Sequence, residues 1–207
     1  CPVHGAKARD APERLEGVDS KLVEANPDAG FQYPYYLHAP QKSKDEAAKP
    51  ILVEPTNTGR PSNNLDDHIA AGEGTITAGV GRQIANELET PFVVPVFPRP
   101  AGDPVDATHY VHALDKATMS ISEGPLERVD LQLLRVVDDA QSRLADRGYP
   151  VADGIMLNGF SASGNFVDRF AVLHPEKVLS VTAGGLNGMT VLPLEEADGR
   201  QLPFHVG

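Results

Sequence analysis

The chain has a single cysteine in 207 residues, Cys1. An internal disulfide and a Cys-x-x-Cys metal or redox site are therefore excluded. Long apolar runs are equally absent, since no stretch approaches the ~18 residues that a membrane-spanning helix needs. Positive charge is in deficit, 18 Lys and Arg against 29 Asp and Glu, giving a net charge of −11 and a pI near 5.0. That balance argues against nucleic acid and anionic membrane surfaces as partners. What is present, 41% hydrophobic and 23% charged residues, is the composition of a soluble globular protein. The length suits one domain with a sizeable core.

A cysteine in first place, with no methionine before it, is what cleavage of a bacterial lipoprotein signal leaves behind. That reading puts the protein in the cell envelope, lipid-anchored at Cys1, or secreted. The alternative is an arbitrary chain boundary, which leaves the compartment open.

Residues 1–30 are polar, carry Pro2, Pro12 and Pro27, and show no sustained periodicity, as expected of an N-terminal arm. The aromatic segment from Phe31 to Pro40 predicts an edge strand limited by Pro34 and Pro40, followed by a charged connection from Gln41 to Lys49. Pro50 to Pro55 predicts a second strand, running into the turn-forming residues Thr56 to Asn64. Ile76, Val80, Ile84 and Leu88 are spaced for a helix over 75–89, and Phe92 to Phe97 reads as a third strand. Asp66, Asp67 and His68 read as a charged loop before that helix rather than as metal ligands.

The most regular pattern lies between Gly124 and Arg147. Leu126, Val129, Leu133, Val137, Ala140 and Leu144 form one apolar stripe, and Gly148 and Pro150 end the helix. Val178 to Ala183 is a further strand, and Leu202 to Gly207 reads as the start of another. Strands alternating with helices predict an α/β fold: a three-layer α/β/α sandwich on a mostly parallel sheet, occupying residues 31–207 as one partial core.

Chemistry concentrates between Gly154 and Phe170. Ile155, Met156 and Leu157 form the short apolar run of a strand buried on both faces. The small residues Gly159, Ser161, Ala162, Ser163 and Gly164 follow, and then Phe166, Phe170 and Leu173 at helical spacing. Strand, tight turn and helix is the setting of a nucleophile elbow, which needs small residues two before and two after the nucleophile. Gly159 and Ser163 fill those places around Ser161, giving Gly-x-Ser-x-Ser. Two other readings compete: an ordinary small-residue turn, and a phosphate-binding turn at a helix N-terminus. Against the second, both G-x-G-x-x-G and G-x-x-x-x-G-K-[ST] are missing.

These residues resemble the α/β-hydrolase superfamily, and within it poorly characterised bacterial and archaeal, lipoprotein-like serine esterases related to polyester depolymerases. The matching stretches are Ile51 to Gly59, Pro95 to Pro100, His112 to Asp115, Asp130 to Leu134 and Leu157 to Gly164, over roughly residues 31–207. The resemblance implies hydrolysis of a carboxylic ester, with no cofactor, through an acyl-enzyme on Ser161. It implies an oxyanion hole made by the N–H of Ala162 and by one N–H from the loop after the second strand, where Asn57 and Thr58 stand. Asn57 and Thr58 read equally well as plain turn residues.

The sequence departs from the superfamily pattern in one respect. There the acid and then the histidine follow the nucleophile along the chain. After Ser161 the only histidines are His174, at a predicted helix end, and His205, inside the predicted last strand; both read as structural. Glu195 and Asp198 read as solvated loop residues. His68, His109 and His112 precede the serine, and His109 and His112 read at most as shaping the pocket mouth. The expectation is that a C-terminal segment or a second chain supplies the catalytic Asp and His. Two further readings stay open: a non-catalytic binding or assembly module that keeps the scaffold, and an acyltransferase or peptidase on the same fold.

Overall fold

The computed structural model describes residues 20–40, 47–57, 59–102 and 113–186, and the backbone of 196–197 and 200–201. Six strands form the main sheet: β1 Ser20–Val23, β2 Tyr35–His38, β3 Lys49–Val53, β4 Phe92–Pro95, β5 Val151–Phe160 and β6 Val178–Gly184. Their order is β1-β2-β4-β3-β5-β6. β3 pairs in parallel with β4 and with β5, β5 pairs in parallel with β6, and β2 runs antiparallel to both of its neighbours. A separate two-residue hairpin pairs β7, Glu196–Ala197, with β8, Arg200–Gln201.

Helices cover both faces. On one face α4, Val129–Ala145, and α5, Ala162–Leu173, pack against Ile51, Val53, Val93, Ile155 and Leu157. On the other, Ile76 of α1, Leu65–Ala78, and Ala85 of α2, Val80–Leu88, pack against Leu52, Phe92 and Val94, while the short α3, Lys116–Met119, lies in the connection before α4. The alternation of inward residues along β3, Ile51 and Val53 to one layer and Leu52 to the other, follows the two-residue period of a strand. The three-layer α/β/α sandwich with a mostly parallel sheet is thus the architecture of the chain.

Three expected elements differ in detail. The aromatic strand β2 is interior, because Ser20–Val23, within the expected N-terminal arm, pairs along its outer edge. Tyr35, Tyr36, Leu37 and His38 are all buried, which an edge strand with a solvated face would not require. The helix expected over 75–89 is two helices, α1 Leu65–Ala78 and α2 Val80–Leu88, broken at Gly79, whose ψ of 166° is not helical. Asp66, Asp67 and His68 therefore lie in the first turn of α1, where Asn64 caps the helix by accepting from Asp66 N–H at 3.1 Å. The predicted stripe dissolves with the break: Ile76 is buried, whereas Val80 and Leu88 face solvent. The helix expected over 124–147 begins at Val129, after Arg128 in a left-handed conformation, yet every residue of its apolar stripe is buried. The expected charged connection lies largely, and the strand at Leu202–Gly207 entirely, outside the described residues.

On α5 the apolar row continues differently from the expected Phe166, Phe170 and Leu173. Phe97 stacks on Phe166, Phe166 on Phe170, and the imidazole of His174 lies 4.7 Å from Phe170. The row therefore follows four-residue spacing, with Leu173 turned half outward. His174 Nε2 is 3.0 Å from Asp130 Oδ2, and Arg128 grips both oxygens of Asp130 at 2.9 and 2.7 Å. Burial alone would raise the Asp130 carboxyl, but Arg128 and His174 together hold it below the ordinary carboxylate range. A depressed folded-state value stabilises the fold above the ordinary carboxylate range, and that contribution is lost as pH falls from there through the lowered value. Asp130→Asn should cost about 2–3 kcal/mol at neutral pH. Urea unfolding of both forms should show that gap shrinking below pH 4, roughly the ordinary carboxylate value. A pH-independent gap would mean that packing, not charge, is what Asp130 supplies.

Candidate active site at the end of the fifth strand

β5 and α5 are separated by one residue, Ser161. Its φ of 57° and ψ of −120° lie outside the left-handed well occupied by Glu89 and Arg128. An L-residue held there stores roughly 1–3 kcal/mol, and persists only when its neighbours over-determine it. They do so here. Ser161 N–H donates to Gly184 O at 2.9 Å, tying the turn to the end of β6. Its carbonyl accepts from Asn165 N–H at 2.9 Å and from Asn165 Nδ2 at 3.2 Å. Ser163 Oγ accepts from Phe160 N–H and donates to Phe160 O, both at 3.0 Å, closing the turn from the helix side.

Close approach of the backbones explains the small residues. A Cβ on Gly159 would lie 2.3 Å from Ser163 O, and one on Gly164 would lie 2.5 Å from Gly184 O. Both positions therefore exclude any side chain. Ser163, where the commoner motif has glycine, carries a side chain because its hydroxyl has work on Phe160.

Ala162 is the first helical residue of α5, so its N–H has no acceptor within the helix and sits at the positive end of the helix dipole. Asn57, in the loop after β3, places Oδ1 3.5 Å from Ser163 N–H. That contact brings the loop after β3 against the start of α5, next to Ser161. Thr58 lies outside the described residues. Because β3, β4 and β5 are parallel, the loops after them leave the sheet at the same end, the usual place for ligands in an α/β sheet. There the loops after β3 and β4 line a cavity of about 240 Å³, with Ser62, His68, Pro98 and Pro100 among its walls.

The structure brings no histidine to Ser161 among the described residues. His38 meets Ser20 Oγ, His68 Nε2 meets Ser62 O, and His174 meets Asp130. His109, His112, His205, Glu195 and Asp198 fall outside the described residues. One pair was not singled out from the sequence. Glu54, the residue after β3, accepts from Asn158 Nδ2 at 2.6 Å, and burial raises its carboxyl above the usual range against the bonds from Asn158 and the Gly81 N–H. The available signal was a polar residue interrupting each of two apolar strand runs, Ile51 to Pro55 and Ile155 to Gly159.

The mixed sheet, its two helical layers and the strand–turn–helix at β5 have the arrangement of the α/β-hydrolase fold. No family model matches the sequence, and no curated protein matches it. Among solved structures, the chain is similar to a thermostable esterase, with a TM-score of 0.49 and 17% identity over 79% of this chain and 40% of that one. It is also similar to LpqC, a poly(3-hydroxybutyrate) depolymerase from Bordetella parapertussis, with a TM-score of 0.47 and 19% identity over 81% and 51%. A third is FphF, a fluorophosphonate-binding serine hydrolase of Staphylococcus aureus, with a TM-score of 0.47 and 15% identity over 86% and 61%. The chain thus spans between 40% and 61% of the length of these three structures.

Proposed function

We propose that the chain is the nucleophile-bearing core of a serine hydrolase acting on carboxylic esters. The observation that carries this reading is the backbone of Ser161, held at φ 57° and ψ −120° between β5 and α5. A merely structural turn would place glycine there and avoid the strain. In this reading Ser161 Oγ attacks the ester carbonyl and the alcohol departs. Water then cleaves the acyl-enzyme, releasing the carboxylic acid and restoring the serine. The oxyanion formed in each half is held by Ala162 N–H and by an N–H of the loop at Asn57 and Thr58.

The base and its orienting acid come, in this proposal, from polypeptide that adds to β6. Support lies in the exposure of that strand: among the described residues Leu179, Ser180, Val181 and Thr182 face solvent, while Val178 and Ala183 at its two ends pack against the core. Parallel strands normally have both faces covered.

Intact-mass spectrometry of the native protein, with every polypeptide that co-purifies, tests the reading before and after a fluorophosphonate probe. One adduct, mapping to the peptide that contains Ser161, is expected. An unmodified chain would leave the strained turn as scaffold, in favour of a non-catalytic binding module. Product analysis with added alcohol or amine acceptors separates hydrolysis from acyl transfer, since a transferase would yield the new ester or amide in place of the free acid.

A further inference from the structure

We propose that Glu54 and Asn158 form a positioning pair that sets the loop after β3 at a fixed height against the Ser161 turn. The proposal rests on the serine-hydrolase reading above and adds two residues that touch neither the ester nor the oxyanion. β3 and β5 are adjacent and parallel, with Val53 paired to Leu157. Glu54 and Asn158 are the next residues on each strand, and they lie side by side where the strands leave their shared ladder. Asn158 Nδ2 donates to Glu54 Oε2 at 2.6 Å across that gap, and Asn158 is buried. Gly81, near the start of α2, packs closely on the same carboxylate, since a Cβ there would lie 2.3 Å from Oε2.

Each partner stands three residues before a part of the proposed site. Three residues beyond Glu54 is Asn57, whose side chain meets Ser163 N–H; three residues beyond Asn158 is Ser161. An oxyanion hole assembled from one N–H on each segment works only if the two segments keep their separation, because a donor displaced by an ångström loses most of its effect on the transition state. Backbone pairing between β3 and β5 ends at Val53 and Leu157. Beyond it, the Glu54–Asn158 bond is a side-chain tie between the two segments, shorter than the Asn57–Ser163 contact nearer the turn, and α2 packs against it at Gly81. Two apolar side chains of similar volume would fill the same space without burying a carboxylate, and such replacements are often neutral or stabilising. What they would not supply is a directional bond that fixes relative height.

The test measures the rate of fluorophosphonate labelling at Ser161, and kcat and KM on a short-chain ester, in the native protein carrying Asn158→Leu, Glu54→Gln or both. Asn158→Leu should slow labelling and lower kcat by about tenfold or more with KM little changed, the pattern of lost transition-state contact. Glu54→Gln keeps an acceptor for Asn158 but replaces the charge-assisted bond by a neutral one, so a smaller loss is expected. The double variant should be no worse than Asn158→Leu alone, since both changes cut one tie. Unchanged labelling and kcat in the single variants would overturn the positioning role and leave the nucleophile reading intact. An unlabelled parent protein would overturn both. Should Asn158→Leu fail to fold, Glu54→Gln decides: a lowered melting temperature with unchanged kcat would mean that the pair serves stability only.

Discussion

Ser161→Ala is expected to lower ester hydrolysis by at least about 10³-fold while leaving the melting temperature nearly unchanged. The activity loss follows from removing the only atom of the turn able to form the acyl-enzyme in the proposed mechanism. The unchanged stability follows from the geometry, because the bonds that hold the turn come from the backbone of Ser161 and the hydroxyl of Ser163, not from the Ser161 hydroxyl. Alanine inherits the same unfavourable φ and ψ. Ser161→Gly should therefore be equally inactive yet more stable than Ser161→Ala, by about 1 kcal/mol, since glycine occupies that region without steric cost. The measurement is thermal unfolding of the two variants beside turnover of a short-chain aryl ester. Wild-type turnover in Ser161→Ala would remove the serine from the chemistry. Equal stability of the two variants would show that the turn is not strained.

The second large effect is on folding. Gly159→Ala places a methyl group 2.3 Å from Ser163 O, a backbone atom at the start of a buried helix. No rotamer change relieves that overlap, so β5 and α5 must move apart. That motion opens the contacts of Phe166 and Phe170 with the sheet, both fully buried. A loss of about 3–5 kcal/mol is expected, comparable with emptying one large aromatic site. Urea unfolding with an unchanged denaturant slope would measure it directly. Gly124→Ala serves as the contrast: its φ of 87° favours glycine, as the strand conformation of Gly159 does not, but nothing lies within 4 Å of its added Cβ. It should cost only about 1 kcal/mol, from backbone strain alone. A loss at Gly159 no larger than that at Gly124 would mean that strand and helix can separate at little cost, and that their close approach does not govern Gly159.

The Ser161 turn was legible because its determinants are local. A strand followed by closely spaced small residues and then an amphipathic helix restricts how the chain can turn, and all those residues fall within a few positions of one another. The stripe on α4 was legible for a similar reason, as its apolar period is long and unbroken. The pattern from Ile76 to Leu88 misled because four apolar residues at the right spacing span Gly79. Whether a helix continues through such a glycine depends on what each half packs against. The interior place of β2 was hidden for a different reason. Its outer neighbour, Ser20–Val23, is a four-residue segment with no alternation strong enough to stand out from the polar stretch around it.

From the sequence alone come the α/β layering, the face that α4 buries, the turn at Ser161 and the acidic surface charge. Each depends on composition or on residues a few positions apart, where backbone sterics and side-chain period act directly. Tertiary structure alone decided that Glu54 meets Asn158, 104 residues away, and that His174 serves Asp130, 44 residues away. It also decided that Ser163 closes the turn through Phe160, and that Asn57 reaches α5. A buried polar side chain must find a partner, but the sequence does not say which one. That choice is made by strand register and helix packing, which bring distant segments within hydrogen-bonding distance only once the whole sheet has assembled.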